Sequence, residues 1–404
     1  MAFPRPPVSR RDFLAQAACT TAAFSTAALG WNESSRTVQA AETAIPLLTP
    51  RRDQIVCRWS AQHPRHDHQL IFPLKDNRLI FVWSEYYTDK PQLLARKSPS
   101  DAGGFDDEMP CRISAMISAD KGATWGDPFV FQENLWKWNV KHPNLLRLNN
   151  SELLFTFSGW DSMAQRNIFF RRSTDEGKSW TAIEQISQPG WYCTNNDHIL
   201  RLKSGRIVLP AHTVIGGGPY AGAKSKLESF MYLSDDDGRT WRRSADSMTA
   251  PGRGCHEPSV IERKNGQLLV FHRNTNQRIY HSTSDDGGEH WTTPVATSLI
   301  APESPSLMKR IPSTGDLLLV WNRVASSKGT PRTPLTATIS QDDGDTWTHL
   351  HHIENRTNRD AAYASAFFQD DECLVAYYSR EHAWSRDSEV TIRTYPISSF
   401  YAAT

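Results

Sequence analysis

Along the chain, one alternation of apolar and polar positions recurs six times: an apolar run, a short polar turn and a second apolar run. The copies span residues 70–83 around Asp76-Asn77, 145–157 around Asn149-Asn150, and 199–209 around Ser204-Gly205. The remaining copies span 259–271 around Asn265-Gly266, 306–321 around Thr314-Gly315, and 366–377 around Asp370-Asp371. Asn, Asp, Ser and Gly pairs between β-rich runs are the signature of hairpins, because they tolerate the backbone angles of tight turns. No helical period of comparable length interrupts them, so the pattern predicts an all-β chain.

A second pattern follows each of the first five hairpins: Ser, an Asp two residues on, a Gly two further, then Thr, Ser or His, then Trp. It occurs at Ser118/Asp120/Gly122/Thr124/Trp125, Ser173/Asp175/Gly177/Ser179/Trp180 and Ser234/Asp236/Gly238/Thr240/Trp241. It returns at Ser284/Asp286/Gly288/His290/Trp291 and Ser340/Asp342/Gly344/Thr346/Trp347. Asp and Ser side chains can bond back to turn amides, Gly supplies a positive φ, and Trp covers the turn with a large apolar face. The spacing, roughly 50–60 residues, is that of propeller blades and other repeat arrays.

This repeat resembles the Asp-box of the sialidase-like β-propellers, and the likeness runs from near residue 55 to the end. Six hairpins, with a box after each of the first five, then give an all-β, six-bladed propeller of four-stranded antiparallel blades over residues 54–404. Residues 54–59 are expected to supply the outer strand that closes the ring on the last blade. That blade has no box, since the chain ends at Thr404.

Composition changes the picture in two places. The formal net charge of +1 gives no reason to expect nucleic acid or an anionic membrane as partner. Fourteen tryptophans suit both blade packing and stacking on sugar rings. At the N-terminus, Ser9-Arg10-Arg11-Asp12-Phe13-Leu14 matches a twin-arginine export motif, followed by an Ala-rich run over 15–30 too short for a stable membrane span. Val38-Gln39-Ala40 offers a cleavage site, so residues 1–40 read as a signal peptide, 41–53 as a linker, and the mature protein as periplasmic or secreted. Cys57, Cys111, Cys193, Cys255 and Cys373 match no zinc-ligand spacing and read as buried thiols. The mature chain is expected to be a monomer.

In an antiparallel blade, the start of the first strand and the end of the second meet at one mouth of the ring. The residues at those places include Arg65, His66, Asp67, His68, His142, His198, His256, Glu257 and Tyr363, with His212, Arg273, Arg323 and Arg380. The sialidase likeness assigns roles to some of them. Cys255-His256-Glu257-Pro258-Ser259 is similar to the family segment whose Glu activates a Tyr nucleophile, and Tyr363-Ala364-Ser365 resembles the nucleophile segment. Arg273 and Arg332 resemble two of the three arginines that clamp the substrate carboxylate. Asp67-His68-Gln69 stands where the first clamping Arg belongs, which leaves Arg65, Arg323 or Arg380 as substitutes. The family's acid/base belongs to the loop after the first hairpin, where Asp89, Asp106 and Asp107 compete and Asp89 is preferred.

A phenol with an ordinary pKa near 10 needs a carboxylate to take its proton before it can attack. Arginine forks match a carboxylate bidentately. The histidines have three readings: bonds to neighbouring backbone, recognition of glycan hydroxyl and carboxylate groups, or a metal site, which needs converging ligands. The expected function is an exo-α-sialidase-like glycosidase acting on an acidic sugar of an extracellular glycan, with no cofactor. A uronate-polysaccharide lyase and a non-catalytic glycan-binding propeller are the alternatives.

Overall fold

The computed structural model describes residues 44–88, 109–325, 332–381 and 387–403. Each of the six apolar–turn–apolar units forms a hairpin, and the partners can be read from the register. Arg65–Pro73 pairs with Leu79–Tyr86, Asn139–Arg147 with Leu153–Ser162, and Ile207–Val214 with both Tyr192–Thr194 and Leu200–Arg201. His256–Glu262 pairs with Leu268–Arg273, Leu307–Arg310 with Leu317–Asn322, and Asp360–Gln369 with Glu372–Arg380. Among the described residues the only helical turns are short 3-10 segments such as Ile397–Tyr401, and no helix is long and apolar enough to cross a membrane.

The fold is an all-β propeller, but the expectation of six four-stranded blades is corrected. The described strands group into five hydrogen-bonded sheets: three of four strands, one of five and one of eight. Four sheets are therefore separate blades. The eight-stranded sheet carries the first two hairpins, which are joined through a parallel pairing of Cys111 with Asn139. The reason is local: Phe129–Gln132 covers only part of Cys111–Ser118, which leaves the mouth end of that strand free to bond the next hairpin. A hairpin count sees each unit alone and cannot see a bond between neighbours.

The outermost strand of the last sheet is Arg52–Cys57, paired with Glu389–Pro396. It starts two residues before the expected propeller boundary at 54. Arg51 and Arg52, expected in a linker, instead form ion pairs with Asp371 and Glu372. The core lies between adjacent sheets. Leu269 and Phe271 pack with Leu319 and Trp321, while Phe81 and Trp83 pack with Leu374 and Ile392 from the other end of the chain. Each such side chain contributes about 1.5–3 kcal/mol by leaving water.

The five boxes share one geometry. In the first, Gly122 N–H donates to Ser118 Oγ at 2.8 Å, Ser118 Oγ–H donates to Asp120 Oδ1 at 2.8 Å, and Thr124 donates to both Asp120 oxygens. Where His290 replaces Thr, its Nδ1 reaches Asp286 Oδ2 at 2.7 Å. The glycines have positive φ, and they also sit where the neighbouring sheet passes. A Cβ on Gly122 would lie 2.7 Å from Leu374, and one on Gly344 2.5 Å from Leu269. The box thus ends its own hairpin and docks it on the next sheet.

Candidate active site

The mouth is built by a second repeated device. Four innermost strands lose register near their starts, between Asp67 and Leu70, Lys141 and Asn144, His256 and Ser259, and Ala362 and Ser365. Within each interruption one non-glycine residue adopts positive φ: His68 (50°), His142 (63°), Glu257 (44°) and Tyr363 (53°). Such bulges re-aim a side chain, and positive φ on these residue types is strain that the surroundings must hold. Buried amides hold it here. Gln69 Nε2 donates to the Tyr363 carbonyl, Asn196 Nδ2 to the Gln69 carbonyl at 2.7 Å, and Asn144 Nδ2 to the His142 carbonyl at 3.3 Å.

All four re-aimed side chains line one cavity of about 240 Å³. At one wall, Tyr363 Oη–H donates to Glu257 Oε1 at 2.8 Å. Arg273 Nη1 lies 2.6 Å from Glu257 Oε2 and 3.3 Å from Tyr363 Oη. Arg332 donates to Tyr378 Oη at 3.1 Å, and its guanidinium faces the Tyr363 ring at 5.6 Å. Asp360, behind them, accepts from Tyr378 at 2.8 Å and Arg380 at 2.6 Å.

Next to Tyr363 stands His68, whose ring meets Tyr363 edge-on at 4.4 Å and His142 at 4.1 Å. Asp67 Oδ1 lies 2.5 Å from His68 Nδ1, outside good hydrogen-bond alignment, and Asp67 Oδ2 accepts from Arg65 at 2.6 Å.

The electrostatics divide the same way. Burial pushes the Tyr363 phenol well above its ordinary pKa, and the Glu257 charge pushes it further, so Tyr363 rests protonated. Burial opposes ionisation of Glu257, but the Arg273 guanidinium outweighs it and holds the carboxyl below the usual range. Asp67 is likewise held ionised against burial, by the Arg65 guanidinium. Burial keeps His68, His142 and His212 neutral and lowers His256 to about 4.

Of the residues expected from sequence, Tyr363, Glu257, Arg273, Arg332, Arg65, His68, His142 and His256 line this cavity, as does Arg380. Two expected binding residues are not among its lining. His198 is buried with Nε2 on the Ser306 carbonyl at 3.1 Å, a structural role. Arg323 bonds its backbone N–H to the Pro334 carbonyl, and it adds to the burial that depresses the His352 imidazole. Asp89, with Asp106 and Asp107, lies outside the described residues. Lys141, Arg166, Trp191, Arg253 and Tyr378 were missed. Lys141 and Tyr378 lie one and two residues from the sequence-predicted positions His142 and Arg380, so a wider window at each strand end would have found them. Arg166 and Arg253 enter from a third strand and a loop, and no sequence signal marks them. Among the described residues no group of three or more His, Cys, Asp or Glu is arranged to hold a metal ion.

A propeller carrying this cavity belongs to a recognisable class. The chain belongs to the BNR repeat-like domain family, whose model matches residues 147–375. It is 27% identical over 282 residues to a Micromonospora viridifaciens sialidase, covering 60% of this chain and 41% of that protein. With a Paraclostridium sordellii sialidase it shares 25% identity over 282 residues, covering 61% and 67%. The chain thus spans about two-fifths to two-thirds of the length of these relatives. Its fold is similar to that of Trypanosoma rangeli sialidase (TM-score 0.67, 14% identity, 88% of this chain and 61% of that one). It is equally similar to a Dyadobacter fermentans protein of unknown function (TM-score 0.67, 19% identity, 87% and 99%).

Proposed function

We propose that this protein is an exported, sialidase-like exo-glycosidase that releases a terminal acidic sugar from extracellular glycans. The observation that carries the reading is the 2.8 Å hydrogen bond from Tyr363 to Glu257 inside a cavity that also holds Arg273 and Arg332. As Tyr363 Oη attacks the anomeric carbon, its proton passes to Glu257 and the glycosidic C–O bond breaks. The departing oxygen takes a proton from an acid, for which Asp89 is the proposed donor. Both cavity carboxylates among the described residues are held ionised, so neither serves as that acid. Water then releases the sugar from Tyr363. A neutral nucleophile suits a substrate whose carboxylate sits on Arg332 and Arg273, since it avoids repulsion in a dry site. Arg65 and Arg380 are the candidates for the third clamping arginine. Export by the twin-arginine route, a periplasmic or secreted location and a monomeric state are part of the same proposal.

A second reading rests on the Asp67–His68 pair against Tyr363. An oriented neutral imidazole beside a phenol is suited to removing the proton next to a uronate carboxylate, which would make the protein a lyase. The test is a fluorogenic α-sialoside with purified protein, Tyr363→Phe and Glu257→Ala. Release lost in both variants supports the hydrolase. No release from the wild type, with a new ultraviolet absorbance from uronate polysaccharides, would favour the lyase.

A further inference from the structure

Beyond His68 and His142 the cavity lining contains a cation that the proposed chemistry does not use. Arg166 opens the strand Gln165–Ser173 and is only 5% exposed, yet it lines the cavity. Its guanidinium lies 4.8 Å from the Trp160 ring and 5.4 Å from the Trp191 ring, held between two indoles. Its side-chain hydrogen bond goes to His142, with Nη2 2.7 Å from Nδ1, and Nε is buried without a partner. Among the described residues no carboxylate lies within ion-pair distance of it. That contrasts with Arg273 on Glu257, Arg253 on Glu303 and Arg65 on Asp67.

A buried guanidinium without an anion carries an unrecovered desolvation cost, and an anion that completes the pair recovers it. Seven basic side chains line the cavity against two acidic ones, which favours anionic ligands throughout. Arg332, beside Tyr363, also lacks a carboxylate at ion-pair distance among the described residues, bonding instead to Tyr378 and the Glu303 carbonyl. The two cationic points are separated by a row of rings, with Arg332 over Tyr363, His68 against Tyr363, His142 against His68, and Arg166 on His142. One sugar carboxylate satisfies the first and leaves the second open.

We propose that Arg166 forms a second anionic subsite, so that the preferred glycan carries a sulfate or carboxylate on the sugar beyond the one that meets Tyr363. The inference rests on reading the cavity as a site for an acidic sugar. Arginine is suited to this because its planar fork meets two oxygens at once and stacks on indole faces while doing so.

The test measures binding, so it does not depend on turnover. Calorimetry on Tyr363→Phe would use two pairs of disaccharides: sialyl-α-2,3-galactose with and without a 6-sulfate on galactose, and chondroitin disaccharide with and without a sulfate. In at least one pair the sulfated member should bind about tenfold to a hundredfold more tightly, the range of one charge-assisted bond. With Arg166→Gln added, that ratio should collapse towards one. Arg166→Lys, which keeps the charge and guards against misfolding of the glutamine variant, should retain only part of it. Equal binding within both pairs, no binding of any member, or a preference that survives Arg166→Gln would overturn the proposal. A sulfate preference in a protein that turns over no glycoside or uronate would uphold the subsite while defeating the proposed activity.

Discussion

The two ends of the strands use repetition in opposite ways. At the box end, Ser, Asp and Gly recur with Thr, Ser or His at the fourth place, and these groups satisfy one another within a single turn, as in Ser340–Asp342–Gly344–Thr346. At the mouth, the backbone device recurs but the residue it aims does not: His68, His142, Glu257 and Tyr363 stand at corresponding bulges. Asp197 has a similar positive φ near the start of the third hairpin, and it binds Lys309 and Ser365 instead of facing the cavity. Repeated side chains make a scaffold, and repeated geometry with varied side chains makes a site. The box end is complete within one turn, whereas the strained backbone of the mouth is held by amides from other parts of the chain, such as Asn196 on the Gln69 carbonyl.

The largest effects should separate the two ends cleanly. Tyr363→Phe and Glu257→Gln should each lower kcat/KM by about a thousandfold or more. Tyr363→Phe should change the urea midpoint of unfolding little, whereas Glu257→Gln should lower it, because it leaves the largely buried Arg273 without its closest carboxylate. Comparable losses of stability in both would mean that the mouth is part of the scaffold after all.

At the box end the order reverses. Gly344→Ala places a Cβ 2.5 Å from Leu269 at φ 98°, so strain and overpacking together should cost about 2–4 kcal/mol in urea unfolding. The residual folded enzyme should keep its turnover at low temperature.

Ser340→Ala should cost less, about 1–3 kcal/mol. It removes the acceptor of the Gly344 N–H at 2.7 Å and leaves that amide unsatisfied beside a fully buried side chain. A neutral result would mean that water replaces the hydroxyl and that the box is less self-contained than its geometry indicates.

The smallest effect is a pH dependence. Bonds from the Thr124 hydroxyl and amide lower Asp120 to about 2, and against burial the Thr240 contacts bring Asp236 to about 2 as well. These carboxyls are depressed on folding, so their contribution is complete above the ordinary carboxylate pKa of about 4 and is lost as pH falls towards 2. The thermal midpoint should therefore decline between about pH 4 and pH 2, and less so in Asp236→Asn. A midpoint flat across that window would show that the boxes are not coupled to folding.

Legibility followed the same division. The boxes and hairpins were readable because each is a local arrangement whose residues lie within a few positions of one another, and the pairings fall at the turns that Asp76-Asn77 and Asn265-Gly266 indicate. Tyr363, Glu257, Arg273 and Arg332 were readable from their likeness to family segments and their places at strand ends. His198 looked equivalent to His142, yet it faces inward to the Ser306 carbonyl, one position past the left-handed Asp197. A single step along a strand reverses the face, and sequence does not mark the step.

The sequence by itself determined an all-β repeat with its box turns, its hairpins and the candidate nucleophile pair, since these depend on spacing within short segments. Only the tertiary structure decided how the strands group, because the bond between Cys111 and Asn139 joins two hairpins that look separate along the chain. It also decided which side chains share the cavity. Arg166 and Tyr363 are far apart in sequence and come together only when the ring closes, through the pairing of Arg52–Cys57 with Glu389–Pro396. Charges converge there because closure brings different blades around one axis, and no local pattern encodes that distance.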